Sequence, residues 1–348
     1  MRMLQALIVF CFMWAVGPAV AADVACSKSP ACDIVLRGYI EEGDVRQLDE
    51  AWKAVQAARS SLQTRLCLHS AGGSYDEGLR LIKWLKETTN IYTVIDKGDE
   101  CYSACSLVFM FGNHYEGDAL ISSHRELHVQ GKLGFHTPHI SPAIDSNKRE
   151  YTIKAYRSGI RAIGELLEAD WDDWFPKSLL VQALKKEPDE FLVVDTVLLA
   201  ARWNIKLIGF QPPTQVTEAM LEQACLNGAR EDRKRWSGRW WGAGGDSATG
   251  QREDITAPNR VVPLKNRHYR RTFTGFGADD SYVCVADIYD AGKRGLLLDI
   301  TYGATASDPE IPKPQNADKL AKEKVRNGAP IWLLFPGRTR LVDLPQGS

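Results

Sequence analysis

The order of apolar and polar residues along the chain changes period several times, and each change marks an element. Residues 34–40 (IVLRGYI) form a short, largely apolar run that reads as a strand. From Val45 to Ser60, Leu48, Ala51, Trp52 and Val55 recur at helical spacing. Arg65-Leu66-Cys67-Leu68-His69 is a second strand that stops at Ser70-Ala71-Gly72-Gly73-Ser74. A helix follows, with Leu79, Leu81, Ile82 and Leu85 on its apolar side. Tyr92-Thr93-Val94-Ile95 is a further strand, and after a polar turn comes an apolar segment from Cys101 to Phe111. The alternation continues through Leu133-Gly134-Phe135-His136 and a long helical stretch from Glu150 to Glu168, and closes near Lys206-Leu207-Ile208-Gly209. Strands alternating with helices at this pace predict an α/β architecture with right-handed crossovers.

Residues 226–262 break the pattern. They are rich in Gly, Arg, Asp and Trp (WSGRWWGAGGDSATGQ) and read as a linker or exposed loop. Its tryptophans either form a patch for a partner protein or pack on the neighbouring domain. Beyond residue 263 the runs Tyr282–Ala286, Leu296–Ile300 and Ile331–Phe335 are separated by turn residues and predict strands. The expected division is a leader over 1–21, an α/β domain over 22–212, a helix and Gly/Trp-rich linker over 213–262, and a small β-rich domain over 263–348.

Composition narrows the class. The chain is 44% hydrophobic and 25% charged with a formal net charge of -1, which excludes a disordered, collagen-like or polytopic membrane protein. No basic excess exists to neutralise phosphates, so nucleic acid is not an expected partner. At the N-terminus Arg2 precedes an apolar run from Ala6 to Val16, then Gly17-Pro18 and Ala19-Val20-Ala21. A basic start, a short apolar core and an A-x-A end are the marks of a secretory signal, cleaved after Ala21 or one residue later. The alternative is an uncleaved membrane anchor, for which the run is short and broken by Gly17-Pro18. The expected location is therefore periplasmic or secreted.

Export permits disulfides. Of eight cysteines, Cys11 lies in the leader, and the odd remainder leaves at least one thiol unpaired or paired between chains. The spacings suggest Cys26–Cys32, Cys101–Cys105 and Cys225–Cys284, with Cys67 a buried free thiol in its apolar run. Sequence alone does not fix connectivity.

Four features carry candidate chemistry. Gly72-Gly73 ends a strand, where two glycines let backbone N–H groups approach a substrate closely. Ser103 opens an apolar helix, whose N-terminus directs N–H groups at a developing oxyanion. His136 directly follows a strand and suits a general base. Asp189, in Glu187-Pro188-Asp189-Glu190-Phe191, suits an orienting carboxylate. Singly these features read as a turn, a helix cap, a surface histidine and a solvated charge; in this order within an α/β chain they are far more specific.

His69-Ser70-Ala71-Gly72-Gly73-Ser74, Ser103-Ala104 leading into an apolar helix, Gly134-Phe135-His136-Thr137-Pro138 and Pro188-Asp189-Glu190-Phe191 together resemble the ClpP-type serine peptidases of the ClpP/crotonase superfamily. The resemblance covers about residues 34–210. It implies a spiral of β-β-α units, with the small β-rich domain added at the C-terminus. It also implies a triad of Ser103, His136 and Asp189, an oxyanion hole from the N–H groups of Gly73 and Ala104, a turn supported by Gly72, and a substrate strand along Gly72 and Ser74. Two departures stand out. Ala71 replaces a common proline, and Cys101 and Cys105 flank the serine, where a disulfide either rigidifies the turn or narrows the pocket. The family's ATP-driven partners are not expected in an exported protein.

The leading expectation is an exported serine endopeptidase acting on extended or unfolded peptides, with no metal or organic cofactor; the fold also allows a homo-oligomer. The alternative is a catalytically inactive ClpP-like binding or assembly protein of the periplasm, with partners on the Trp-rich loop or C-terminal domain. A metal site from Cys67, His69, Cys101 and Cys105 has poor zinc spacing, and an acyl-CoA enzyme would lack its cytoplasmic cofactor.

Overall fold

A computed structural model of the chain describes residues 22–27, 31–58, 63–117, 120–137, 174–187, 190–229, 255–276, 282–303 and 329–347, with single positions at 157, 160, 161, 164, 305 and 313. The proposed leader, the Trp-rich stretch and Asp189 lie outside the described residues.

The fold is mixed α/β, with several sheets and, among the described residues, six helices of defined extent. In the first half, β1 (Asp23–Cys26), for which the sequence pattern gives no expectation, is followed by β2 (Ile34–Arg37), α1 (Asp44–Ala58), β3 (Thr64–His69), α2 (Tyr75–Glu87) and β4 (Ile91–Ile95), which succeed one another as the apolar periods predict. Then come β5 (Glu100–Tyr102), α3 (Ala104–Phe109), the hairpin β6 (Asn113–Gly117) and β7 (Leu120–Ser123), β8 (Arg125–His128) and β9 (Lys132–Phe135). Next are α4 (Lys177–Leu184), β10 (Leu192–Val193), α5 (Val197–Arg202), β11 (Lys206–Ile208) and α6 (Glu218–Ala229). Three long strands follow: β12 (His268–Phe276), β13 (Tyr282–Asp290) and β14 (Leu296–Gly303).

The main sheet has the order β1-β2-β3-β4-β8-β11. Only β1 is antiparallel to its neighbour; β2 through β11 are parallel, as helical crossovers require. Leu66 and Leu68 on β3 and Ile34 and Leu36 on β2 are fully buried, and so are Leu48 on α1 and Leu81 and Leu85 on α2. The two helices are joined at their N-termini. Buried Glu77 accepts hydrogen bonds from the N–H groups of Gly43 (3.2 Å) and Val45 (2.9 Å), satisfying donors that the first turn of α1 leaves open.

A second, smaller sheet has the order β10-β9-β5 and is tied to the first where Ser70, just past β3, bridges Cys101 of β5; the segments past β2 and β3 bridge each other at Ile40 and Gly73. The ends of β2 and β3 thus run directly into the layer that carries β5.

The C-terminal strands form an antiparallel sheet β12-β13-β14, in agreement with the alternating runs. Their core is continuous with that of the α/β portion, from Ala22 to Leu344. α6 is the junction. Its Glu222 accepts from the N–H groups of Thr256 and Ala257, Glu218 pairs with Arg260, and Asn227 donates to the Leu333 and Phe335 carbonyls. The tail then returns to the first half, with Leu198 N–H donating to Gly337 O and Gln211 N–H to Pro345 O. The run 331–335 is not the predicted strand: Ile331–Leu334 form a 3-10 turn between Pro330 and Pro336, packed on α6. An apolar run this short does not distinguish a strand from a buried turn, and the flanking prolines remove ladder donors.

The disulfides are Cys101–Cys105, Cys225–Cys284 and Cys32–Cys67. The first two agree with the spacing argument. The pairing Cys26–Cys32 and the free Cys67 do not. Cys67 lies opposite Val35 in the parallel β2–β3 pair, which brings it to the segment entering β2, where Cys32 sits with a Cα–Cα separation of 5.7 Å. Cys26 is on β1 opposite Ile34 and is an exposed free thiol. Three disulfides belong to an oxidising compartment. No helix among the described residues is long and apolar enough to cross a membrane.

Candidate functional site

The small sheet assembles the site. β5 and β9 run parallel with Tyr102 opposite Gly134, so Ser103 leaves one strand beside the point where Phe135 and His136 leave the other. β10 closes the sheet antiparallel to β9, with Leu192 opposite Phe135. This brings Phe191 to His136, the two rings meeting edge to face at 4.9 Å. The next residue, Thr137, has a hydroxyl facing the end of α4, at 2.8 Å from the Lys186 carbonyl, the nearest acceptor for its single proton, and at 3.2 Å from those of Ala183 and Leu184. His136 is thereby held between a strand and a helix terminus.

Ser103 has an unusual backbone. Its φ is 56° and its ψ -125°, a region that costs a residue with a side chain about 1–3 kcal/mol. The position is the N-cap of α3, yet the hydroxyl makes no capping bond. Two other caps behave as the residue type predicts: Ser74 accepts from Glu77 N–H, and Thr196 accepts from Leu199 N–H. Ser103 therefore presents a hydroxyl that is not used to end its helix.

Gly72 and Gly73 are shaped around this turn. Both have positive φ, 113° and 144°. A Cβ on Gly72 would stand 2.6 Å from Ser103 Cβ and 3.1 Å from its Oγ, and one on Gly73 would stand 2.2 Å from Ile40 O. Ile40 bonds to Gly72 O and Ser74 N–H. The Gly73 N–H takes no part in these two bonds. The Ala104 N–H opens α3 and has no intrahelical acceptor. Of the sequence-derived candidates, Ser74 serves as the cap of α2, while Asp189 lies outside the described residues.

Ser103, Ala104 and His136 line one cleft of about 480 Å³, part of it open to solvent. Its other walls are apolar: Leu107 from α3, Phe135 from β9, Phe175, and Leu180, Ala183 and Leu184 from α4, with Tyr75 at the start of α2. Neither Cys101 nor Cys105 reaches the lining; both are fully buried behind the turn. The disulfide does not narrow the pocket. Among the described residues no group of three or more His, Cys, Asp or Glu is placed to hold a metal ion, and Cys67, Cys101 and Cys105 are all in disulfides.

Sequence reasoning missed several contributors. Phe191 falls inside the run Pro188-Asp189-Glu190-Phe191 but no role for its ring is read there, and α4 carries no recognisable motif, since an apolar side chain beside a site looks like any core residue until the strands are paired. Arg125 is another. Only 1% exposed, it donates to the carbonyls of Met110 (2.8 Å), Trp174 (2.5 Å), Trp203 (2.7 Å) and Asn204 (3.1 Å). It thereby joins the end of α3, the segment before Phe175 and the end of α5. A cation suits helix C-termini, where carbonyls are unpaired.

Elsewhere on the main sheet, Arg65, Lys206 and His124 surround Glu126 at 2.6, 2.7 and 3.1 Å. Burial acts to raise the Glu126 carboxyl, but the bond from His124 and the charges of Lys206 and Arg65 hold it far below the usual carboxylate range. Burial also lowers His124 below the ordinary imidazole value. This cluster is a satisfied ionic network, and none of its residues lines the cleft.

Compared with known families and with curated proteins, the chain matches none.

Proposed function

We propose that the protein is an exported serine hydrolase acting on peptide bonds, with Ser103 as nucleophile and His136 as its general base. The supporting observation is Ser103 itself: a serine held at positive φ, left out of helix capping, and placed in one cleft with a histidine. In this reading Ser103 Oγ attacks the substrate carbonyl and passes its proton to His136. The N–H groups of Gly73 and Ala104 receive the charge on the carbonyl oxygen. His136 returns the proton to the leaving amine, and water then hydrolyses the acyl-enzyme by the same route. Asp189 is the proposed orienting carboxylate.

The proposed fold is that of the ClpP-type peptidases, in which the parallel β2-α1-β3-α2-β4 succession and the second small sheet would be turns of the β-β-α spiral. Secretion through a cleaved leader is the matching proposal for the N-terminus, supported by the disulfides. The apolar cleft walls favour extended peptides with an apolar side chain beside the scissile bond.

A fluorophosphonate probe tests this reading. It should attach to Ser103, as read by peptide mapping, and labelling should fall on acidification because a protonated imidazole cannot accept the serine proton. His136→Ala should suppress labelling in a folded protein, and Asp189→Asn should slow it. No labelling of the folded wild type, or labelling that persists in Ser103→Ala, overturns the proposal.

A further inference from the structure

Ser103 lies inside a covalent ring. Cys101 on β5 and Cys105 on α3 are joined two residues either side of it, and the segment between them is Tyr102-Ser103-Ala104. Cys101 is itself fixed on both sides. It lies opposite Leu133 of β9 and bridges Ser70, whose carbonyl accepts from Tyr102 N–H at 3.0 Å and whose N–H donates to Glu100 O at 2.8 Å. Cys105 is held by α3. The disulfide therefore spans from a pinned strand to a pinned helix and confines the one residue with an unfavourable backbone between them.

Apart from the bridge, Ser103 is held through its carbonyl, which accepts from Ser106 Oγ at 2.7 Å and Leu107 N–H at 3.3 Å; these bonds fix the start of α3 but do not themselves set the rotation about the Ser103 N–Cα bond. Gly72 packs on Ser103 by leaving space rather than by bonding, and the serine hydroxyl holds no cap. A helix of six residues with no capping bond has little means of its own to keep the residue before it at positive φ. Without the bridge, the cheaper course is for Ser103 to relax to negative φ, which swings Oγ and the Ala104 N–H away from the cleft.

We infer that the Cys101–Cys105 disulfide is the positioning element that makes Ser103 fully reactive, so that the chain is about 10²-fold less active until this pair is oxidised. The inference rests on the serine-hydrolase reading. In the oxidation one S–S bond forms between Cys101 and Cys105 as the S–S bond of a disulfide-bearing donor breaks. Two electrons and two protons pass to the donor's sulfurs. A chain synthesised where thiols are kept reduced is then far less active before export, and full competence arrives with the oxidising compartment. Because both sulfurs are buried, the bridge once formed is shielded from small reductants, and the device works as a one-way licence rather than a reversible switch.

The test compares wild type, Cys101→Ala/Cys105→Ala and Cys32→Ala/Cys67→Ala. Each lacks at most one disulfide, and the last pair lies away from the cleft. Circular dichroism and thermal melting report folding; fluorophosphonate labelling and peptide hydrolysis report the site. Displacing the nucleophile by the order of 1 Å should cut kcat about 10²-fold in Cys101→Ala/Cys105→Ala, with KM within a few-fold because the apolar walls remain. Cys32→Ala/Cys67→Ala should keep wild-type kcat even if its melting temperature falls. Wild-type labelling rate in folded Cys101→Ala/Cys105→Ala overturns the inference while leaving the hydrolase reading intact, whereas an unlabelled wild type ends both.

A second measurement needs no variant. Wild type refolded from the reduced chain with a limiting disulfide donor, so that only part of it carries the Cys101–Cys105 bridge, is treated with an affinity-tagged fluorophosphonate, and the captured and uncaptured fractions are mapped by mass spectrometry. The captured fraction should hold Cys101 and Cys105 almost entirely as the disulfide. Equal proportions of the reduced pair in both fractions overturn the inference.

Discussion

Tyr102 and Gly134 face each other across two parallel strands, and the absence of a side chain at Gly134 is what lets them do so. A Cβ on Gly134 would stand 2.7 and 2.8 Å from the Tyr102 ring and 3.3 Å from the Phe191 ring. The two rings are themselves packed at 4.9 Å. Ser103 directly follows Tyr102 and His136 lies two residues beyond Gly134, so the spacing of the hydroxyl and the imidazole is set close to this pair. Gly134→Ala should cost about 1–3 kcal/mol through overpacking and should also depress labelling of Ser103. Thermal melting with fluorophosphonate kinetics checks both; loss of stability with unchanged kinetics would show that the ring contact does not set the site.

Arg125 should be among the most sensitive positions away from the reacting groups. Four carbonyls converge on it from three segments. Arg125→Leu leaves those acceptors buried without a donor, a cost of about 3 kcal/mol or more. Arg125→Lys should recover only part, because a single ammonium cannot reproduce the guanidinium fork. Denaturant titration of both variants checks the order, and equal stability of Lys and Arg at this position would contradict it.

How much of this was readable before folding depends on the range of the interaction. The alternation of elements and the bridge across Ser103 are local: Cys101 and Cys105 are four residues apart, within one helical turn. Cys32–Cys67 was not readable, because it depends on the parallel register that puts Val35 opposite Cys67, and register is a long-range property. The same holds for Phe191, brought to His136 by the antiparallel pairing of β10 with β9. The segment 331–335 failed for a different reason. It has the composition of a strand, but proline on both sides and the Asn227 side chain, which occupies the Leu333 and Phe335 carbonyls, leave it no ladder to join. Ser103 looked like a cap in sequence, and only its backbone angles separate it from Ser74 and Thr196.

Thiol chemistry should divide the cysteines cleanly. Alkylation of the native mature protein should modify Cys26 alone, since it is exposed and the remaining cysteines of the described chain are bridged. Cys32 and Cys67 should be recovered linked to each other in a non-reducing digest. Recovery of a Cys26–Cys32 peptide instead would contradict the pairing of β2 with β3 as described.

Asp299 provides a pH-dependent test of the C-terminal sheet. It faces Asp287 across β13 and β14, and Asp287 is held by Arg270 through two hydrogen bonds of 2.8 and 2.7 Å and by His268 at 2.6 Å. Burial first, and the neighbouring Asp287 charge second, push the Asp299 carboxyl up to about 6 from an ordinary 3.8. The folded state thus binds the Asp299 proton more tightly than the unfolded chain does. Stability from this group is fully present below the unfolded value and is lost as pH rises through the folded one. Above that point the folded protein carries a carboxylate it disfavours. Asp299→Asn removes the charge and keeps the shape, so it should stabilise by about 1–2 kcal/mol near pH 7.5, after allowing for partial solvent screening. The gain should shrink toward zero near pH 4, where the wild-type carboxyl is protonated on folding. Calorimetric melting of the two proteins across this range isolates the group, because every other titration is common to both. An equal gain at both ends would assign the effect to packing rather than to the Asp287–Asp299 charge pair.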